Sequence, residues 1–195
     1  AIAEGGELAT SSWDVISGEA SVSDDVLMYD DNGAHPGMAA TEAIMAHGAK
    51  LEVITPERMF SPDIGGVNLV PYVEKLQAHG AVITTMTRIR SLRREGNKIA
   101  ATLASPYNEA VLGERLVDQV VAEYATAPMD DLYFALKPQS SNGGETDYEA
   151  LVAGLSQQVV RNEDGRFQLF RIGDAVAARN IHAGIYDALR LCKDL

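Results

Sequence analysis

Residues 26–56 read VLMYDDNGAHPGMAATEAIMAHGAKLEVITP, and this stretch decides the fold. An apolar run breaks at a turn rich in Asp, Asn and Gly, resumes as an Ala- and Met-rich helical segment ending at Gly48, and closes on a second β-rich run. Strand, turn, helix and strand within about thirty residues is the size of one βαβ unit. The turn is close to a dinucleotide fingerprint, in which one glycine makes the bend, a second admits a pyrophosphate, and a third lets helix and strand pack. Asn32, Ala34 and Gly37 stand in those places, with Gly33 between the first two. The Ala34 methyl obstructs the approach of a pyrophosphate, and Asp30 and Asp31 put negative charge beside it. Thr55 and Pro56 replace the acid that would hold a ribose. Rossmann-like geometry with weakened ligand chemistry is therefore expected. Asn32, Gly33, Ala34 and Gly37 are the candidate NAD(P)H-binding residues, set against a turn retained for packing, which is the favoured reading.

Outward from this unit, residues 1–24 are small and polar, with one apolar cluster at Trp13, Val15 and Ile16. They are expected to form a linker that lays Trp13 on the core, with Ser11 or Ser12 capping a single helical turn. Downstream, residues 70–79 carry Val70, Val73 and Leu76 on one helical stripe and end at Gly80, and residues 81–87 return as a strand. Residues 87–94, 98–104 and 110–116, separated by Glu95-Gly96-Asn97 and a loop around Pro106 and Asn108, read as an antiparallel meander. Residues 118–124 read as a closing strand. The predicted fold class is α/β: a Rossmann-like three-layer domain with a β-meander over residues 25–128.

Residues 129–195 differ in texture. A loop-rich stretch with a short helix at 148–154 leads to a predicted strand over 166–172, the turn Gly173-Asp174, and a closing helix capped by Asn180. Ile181, Ile185, Ala188, Leu189 and Cys192 form one stripe of that helix, so a buried thiol rather than a nucleophile is expected at Cys192. This strand and helix read as the C-terminal part of a second, split dinucleotide-binding domain.

Composition narrows the function classes. A chain of 195 residues with 46% hydrophobic and 23% charged residues suits a soluble globular protein. Its formal net charge of −12 argues against a nucleic-acid partner. Arg88, Arg90, Arg93 and Arg94 alternate with other residues as a solvated sheet face would. A single cysteine, Cys192, excludes an intrachain disulfide and a cysteine-built zinc or iron–sulfur site within the chain. No apolar run approaches the roughly twenty residues of a membrane span, and no signal-peptide pattern opens the chain. No membrane partner and a cytoplasmic location are expected. The initial Ala1 suggests processing or excision from something longer.

Three segments together resemble a known family: TSSWDVISGE at 10–19; residues 26–60 with the downstream pair Gly65-Gly66; and FQLFRIGDAVAARNIHAGIYDALRLCKDL at 167–195, preceded by DDLYFALKP at 130–138. The chain resembles the C-terminal region of the trimethylamine dehydrogenase-like NADH:flavin oxidoreductases. That group includes dimethylamine and histamine dehydrogenases, N-methyl demethylases and, more distantly, 2,4-dienoyl-CoA reductase. The resemblance implies an FMN-bearing barrel and a 4Fe-4S cluster outside this chain, followed by a split FAD- or ADP-binding domain interrupted by a smaller NAD(P)-binding-like domain. It carries over no catalytic residue. It assigns Gly173 and Asp174 to the split domain's ADP or FAD site, where an acid accepts a cofactor hydroxyl. It assigns the Asn32–Gly37 turn to the inserted domain's nucleotide site. Thr126 and Pro128 fit a strand-to-loop turn of the family, whereas Ala125 and Met129 depart from it. The implied partners are the remaining domains of the parent, with an electron-transfer flavoprotein or a homo-oligomer compatible with the acidic surface.

Other constellations are set aside. His35, His47, His79 and His182 lack metal-ligand spacing. His47 and His79 precede glycines at helix ends, where imidazolium favours the dipole, and His35 in the turn is the least bland. No G-x-S-x-G element is present, and Tyr186 and Lys193 lack Y-x-x-x-K spacing. Three readings stay open: a nucleotide-binding-like segment of a flavoprotein oxidoreductase, inactive in isolation; a non-catalytic interaction module; and a free-standing NAD(P)-dependent enzyme, which no proton-donor constellation supports.

Overall fold

A computed structural model describes residues 1–192 as two compact units, the first being Ala1–Ala125 and the second beginning at Thr126. In the first unit β1 (Thr10–Ser11), α1 (Ser12–Ser17), β2 (Asp25–Asp30), α2 (His35–His47), β3 (Lys50–Ile54), α3 (Gly66–His79) and β4 (Val82–Thr84) follow in order. Then come β5 (Arg88–Glu95), β6 (Lys98–Ala104), β7 (Val111–Val117) and β8 (Gln119–Glu123). Five strands form a parallel sheet in the order β1-β8-β2-β3-β4, and β5-β6-β7 form an antiparallel meander.

Two-residue periodicity builds the layers. On β2, Val26 and Met28 join Met38, Ile44 and Leu76 of the helices in one core, while Leu27 and Tyr29 join Ile89, Leu92, Ile99 and Leu103 of the meander in the other. A central parallel strand covered on both faces needs the unbroken apolar run that VLMY supplies. The three layers are thus helices, parallel sheet and meander. Arg115 of β7 forks onto Glu52 of β3 at 2.7 and 3.1 Å, and the Thr84 hydroxyl donates to Glu52 at 2.7 Å, which ties the meander to the sheet.

The N-terminal segment, expected as a linker, supplies an edge strand through the pairing of Thr10 and Ser11 with Val121 and Ala122. Ser11 caps α1, its hydroxyl accepting the Trp13 N–H at 3.2 Å. The expectation that Trp13 packs on the core is corrected: it is 62% exposed. Ser12 and Val15, three residues apart, face inward, and that phase turns Trp13 and Ile16 to solvent.

In the second unit lie α4 (Asp131–Leu136), α5 (Tyr148–Ala153), a 3₁₀ turn at Gly173–Ala175 and α6 (Ile181–Cys192). Asn180 caps α6, its side-chain oxygen accepting the Ala183 N–H at 2.9 Å. Two expectations are corrected here. Residues 166–172 form no strand, because a strand exists through its ladder and none of the described strands pairs with them. Asn142, 1% exposed, takes the place of a partner. Its amide nitrogen donates to the Leu169 and Glu145 carbonyls at 2.8 and 2.9 Å, and its oxygen accepts the Leu169 N–H at 2.8 Å. The α6 stripe is also not buried: Ile181, Ile185, Leu189 and Cys192 are exposed, and the helix seats itself through Leu191. No helix of the described residues is long and apolar enough to cross a membrane.

Candidate functional site

The parallel sheet reverses its order between β2 and β8, and ligands of open α/β sheets bind beyond the carboxyl ends of the strands at such a point. β2 and β8 both end on an acid there. Asp30 and Glu123 are in-register neighbours, each 1% exposed. Glu123 is fully partnered: the buried Ser12 hydroxyl donates to one oxygen, and the Asn32 side-chain amide donates to the other at 3.1 Å. Asp30 accepts the backbone N–H groups of Asn32 and Gly33 through one oxygen, at 3.1 and 2.9 Å, while its second oxygen has no hydrogen-bond partner. Burial pushes both carboxyls above their ordinary range, and their mutual repulsion adds to the shift at Glu123. Burial likewise raises the Tyr29 phenol.

The candidate turn residues fall together around this pair. Gly33 has φ of 69°, and a Cβ there would meet Pro62 at 2.8 Å. Ala34 is the extended residue before α2 and offers no side-chain cap. A Cβ on Gly37 would lie 2.7–2.8 Å from the Asp30 carboxyl atoms. At the ribose position Thr55 is buried, its backbone bonded to Thr84 and Thr87, with its hydroxyl accepting the Glu57 N–H at 3.3 Å. The residues present therefore do not fit a pyrophosphate with an acid-held ribose. His35 leaves the turn altogether, stacking edge-on to Tyr72 at 6.3 Å beside an open groove of about 400 Å³ between α2 and α3.

The second turn is assembled differently. Gly173 has φ of 57° and donates its N–H to Asp187 of α6 at 3.0 Å. Asp187 also pairs with Arg179, and these two contacts hold its carboxyl below the ordinary range. Asp174 is exposed, with one oxygen 3.4 Å from the Arg179 N–H. Arg171, just before the turn, stacks on Tyr133 at 4.5 Å and pairs with Asp130 at 2.6 Å. An exposed carboxylate on a left-handed turn ahead of a helix fits a ligand hydroxyl. A Cβ on Gly173 would meet the Gly184 Cα at 3.5 Å, an ordinary contact distance.

His47 and His79 occupy the last turns of α2 and α3, and the His79 ring contacts the Ala49 carbonyl at 2.7 Å. Arg93 pairs with Glu95 and Glu114, and Arg88 with Glu109, as a solvated sheet face does. No group of three metal-ligating side chains occurs among the described residues, and Lys193 lies outside them. Sequence reasoning named Ser12 only as a candidate cap and passed over Glu123 and Asp187. Its available signal was the pattern of DVLMYD and QVVAE, two apolar strands each closing on an acid.

No model of a protein family matches the chain. It is 47% identical over 194 residues to a probable N-methylproline demethylase of Rhizobium meliloti (strain 1021), covering 100% of this chain and 28% of that protein. It is 38% identical over 191 residues to an N,N-dimethylglycine/sarcosine dehydrogenase of Chromohalobacter salexigens, covering 96% of this chain and 27% of that protein. Its fold is similar to that of histamine dehydrogenase from Rhizobium sp. 4-9, with a TM-score of 0.65 at 17% identity, over 93% of this chain and 25% of that one. The chain thus spans about 28% of the length of the first of these relatives. By these sequence relationships and this fold, the chain is similar to a C-terminal region of demethylase- and dehydrogenase-type oxidoreductases.

Proposed function

We infer that this chain is a cofactor-scaffold region of a multidomain flavoprotein oxidoreductase of the demethylase and amine dehydrogenase type, and that it has no reaction chemistry of its own. The observation that carries this reading is the Gly173–Asp174 turn. It combines a left-handed backbone, an exposed carboxylate and a following helix, while its other ionisable groups are ion-paired with each other rather than arranged as nucleophile and base. In a nucleotide-binding domain completed by the rest of a longer protein, Asp174 accepts a hydrogen bond from a hydroxyl of ADP or FAD. The Arg179 backbone N–H lies 3.4 Å from Asp174, while its guanidinium is paired with Asp187. FMN, a 4Fe-4S cluster and the oxidation of an N-methylated amine, or NADH-dependent reduction in a reductase-type parent, belong to the remaining domains in this proposal. A cytoplasmic setting goes with it.

The test uses the full-length parent. Asp174→Ala is expected to lower its bound adenine nucleotide at least about tenfold, the worth of one charge-assisted hydrogen bond, with FMN content unchanged. Unchanged nucleotide content would overturn the assignment. Titrating the 195-residue chain with ADP, NADH and NADPH separates the parent types: ADP binding alone favours the dehydrogenase branch and tight NADH binding a reductase. A second reading, an interaction module that docks an electron-transfer flavoprotein or supports an oligomer, draws on the exposed Ile181, Ile185 and Leu189 of α6. Silence towards all three nucleotides, together with self-association in sedimentation, would favour it.

A further inference from the structure

In a dinucleotide-binding turn, backbone N–H groups after the first strand face a pyrophosphate, and glycines keep side chains out of its way. In this chain two of those N–H groups, on Asn32 and Gly33, are already spent on one oxygen of Asp30, the residue that ends β2. The carboxyl is 1% exposed and lies against Gly37, where no side chain larger than hydrogen fits without displacing it. The fingerprint glycine meant for packing helix on strand therefore packs on a carboxyl group. The Asn32 side chain, at the place of the first glycine, is committed to Glu123. We propose that the Asp30 carboxyl is a built-in occupant of the pyrophosphate seat, which seals the turn of the Ala1–Ala125 unit against nucleotides.

The charge around the seat supports this. Glu123 faces Asp30 from β8, and Asp31 follows it in the chain, so a diphosphate would have to evict one buried carboxyl and meet two more acids. An ionised carboxylate buried with one oxygen unpartnered is costly, and desolvation therefore favours its protonated form. A neutral carboxyl still accepts both N–H groups, so the seat stays filled in either protonation state. The inference goes beyond the scaffold reading, because it concerns the first unit and stands whether or not Gly173–Asp174 holds a nucleotide.

Backbone-amide NMR of the 195-residue chain tests it, with inorganic pyrophosphate and NADH as probes. In the wild type the Asn32 and Gly33 amides are expected to stay still at millimolar concentrations of either probe. Asp30→Gly, which vacates the seat, is expected to bind pyrophosphate at these amides at least about tenfold more tightly, the worth of one recovered charge-assisted bond. Saturable wild-type shifts at Asn32 and Gly33, or a folded Asp30→Gly variant that binds no better, would overturn the proposal. If the variant does not fold, a pH titration of the wild type decides: the Gly33 amide and the Asp30 carboxyl carbon should move together, and independent movement refutes the contact. The Gly173 and Asp174 amides in the same spectra report separately on the other turn.

Discussion

The two turns that precede α2 and α6 are built from the same parts and behave as opposites. Each has a glycine in the left-handed region and a carboxyl that accepts backbone N–H groups. At the first, the carboxyl comes from the strand itself, is sealed within a finished three-layer core and has an acid for its in-register neighbour. At the second, the carboxylate comes from the following helix, is partly exposed and is balanced by Arg179. A carboxyl fixed by the core is stripped of water, whereas one paired near the surface stays in contact with solvent. Burial, more than the glycine pattern, is what distinguishes the two turns.

The largest effect should come from the residue that stands in for a missing sheet partner in the second unit. Asn142→Ala strips three hydrogen bonds from the 145 and 169 backbone and empties a buried side-chain site. A loss of about 3 kcal/mol is expected at the upper end of such penalties, read as faster hydrogen exchange at Leu169. Unchanged exchange there would mean that the 166–172 segment is held by something else. The comparison sharpens at the glycines. Gly37→Ala drives a methyl into the Asp30 carboxyl and should cost about 2–3 kcal/mol by overpacking. Gly173→Ala meets only the Gly184 Cα at 3.5 Å and should cost about 1 kcal/mol, mostly from its φ of 57°. Urea unfolding of the two variants checks the order, and equal costs would dissolve the distinction between the turns.

These contrasts show what the sequence could and could not convey. VLMY, the helix up to Gly48 and the three meander strands were legible because apolar periodicity and turn residues dictate them locally. The Asn180 cap was legible for the same reason. The direction of the Asp30 side chain was not, because it depends on Gly37 seven residues away and on Glu123 in a strand ninety-three residues later. Trp13 was misplaced because the phase of a six-residue helix is set by Ser12 and Val15 on the sheet rather than by the largest apolar side chain. Residues 166–172 have the composition of a strand, but pairing is a property of two segments and cannot be read from one.

The smallest effect is spread over several pH units and differs between the turns in sign. Asp30 and Glu123 have folded-state pKa values raised above their unfolded values of about 4. Between the two values the native state holds protons that the unfolded state has lost, so stability falls as pH rises. Their contribution is fully present below about pH 4 and is lost as pH climbs through the raised values. Asp187 is lowered by Arg179 and the Gly173 N–H, so its contribution is present above about pH 4 and is lost as pH falls through the depressed value. After correction for intrinsic rates, protection of the Gly33 amide should weaken as pH rises above about 4. Protection of the Gly173 amide should weaken from pH 4 downward. Asp30→Asn should flatten the first profile and Asp187→Asn the second, each leaving the other untouched. Parallel profiles at the two glycines would show that both carboxyls sit in the same kind of environment, and the difference between the two turns would then have no physical basis.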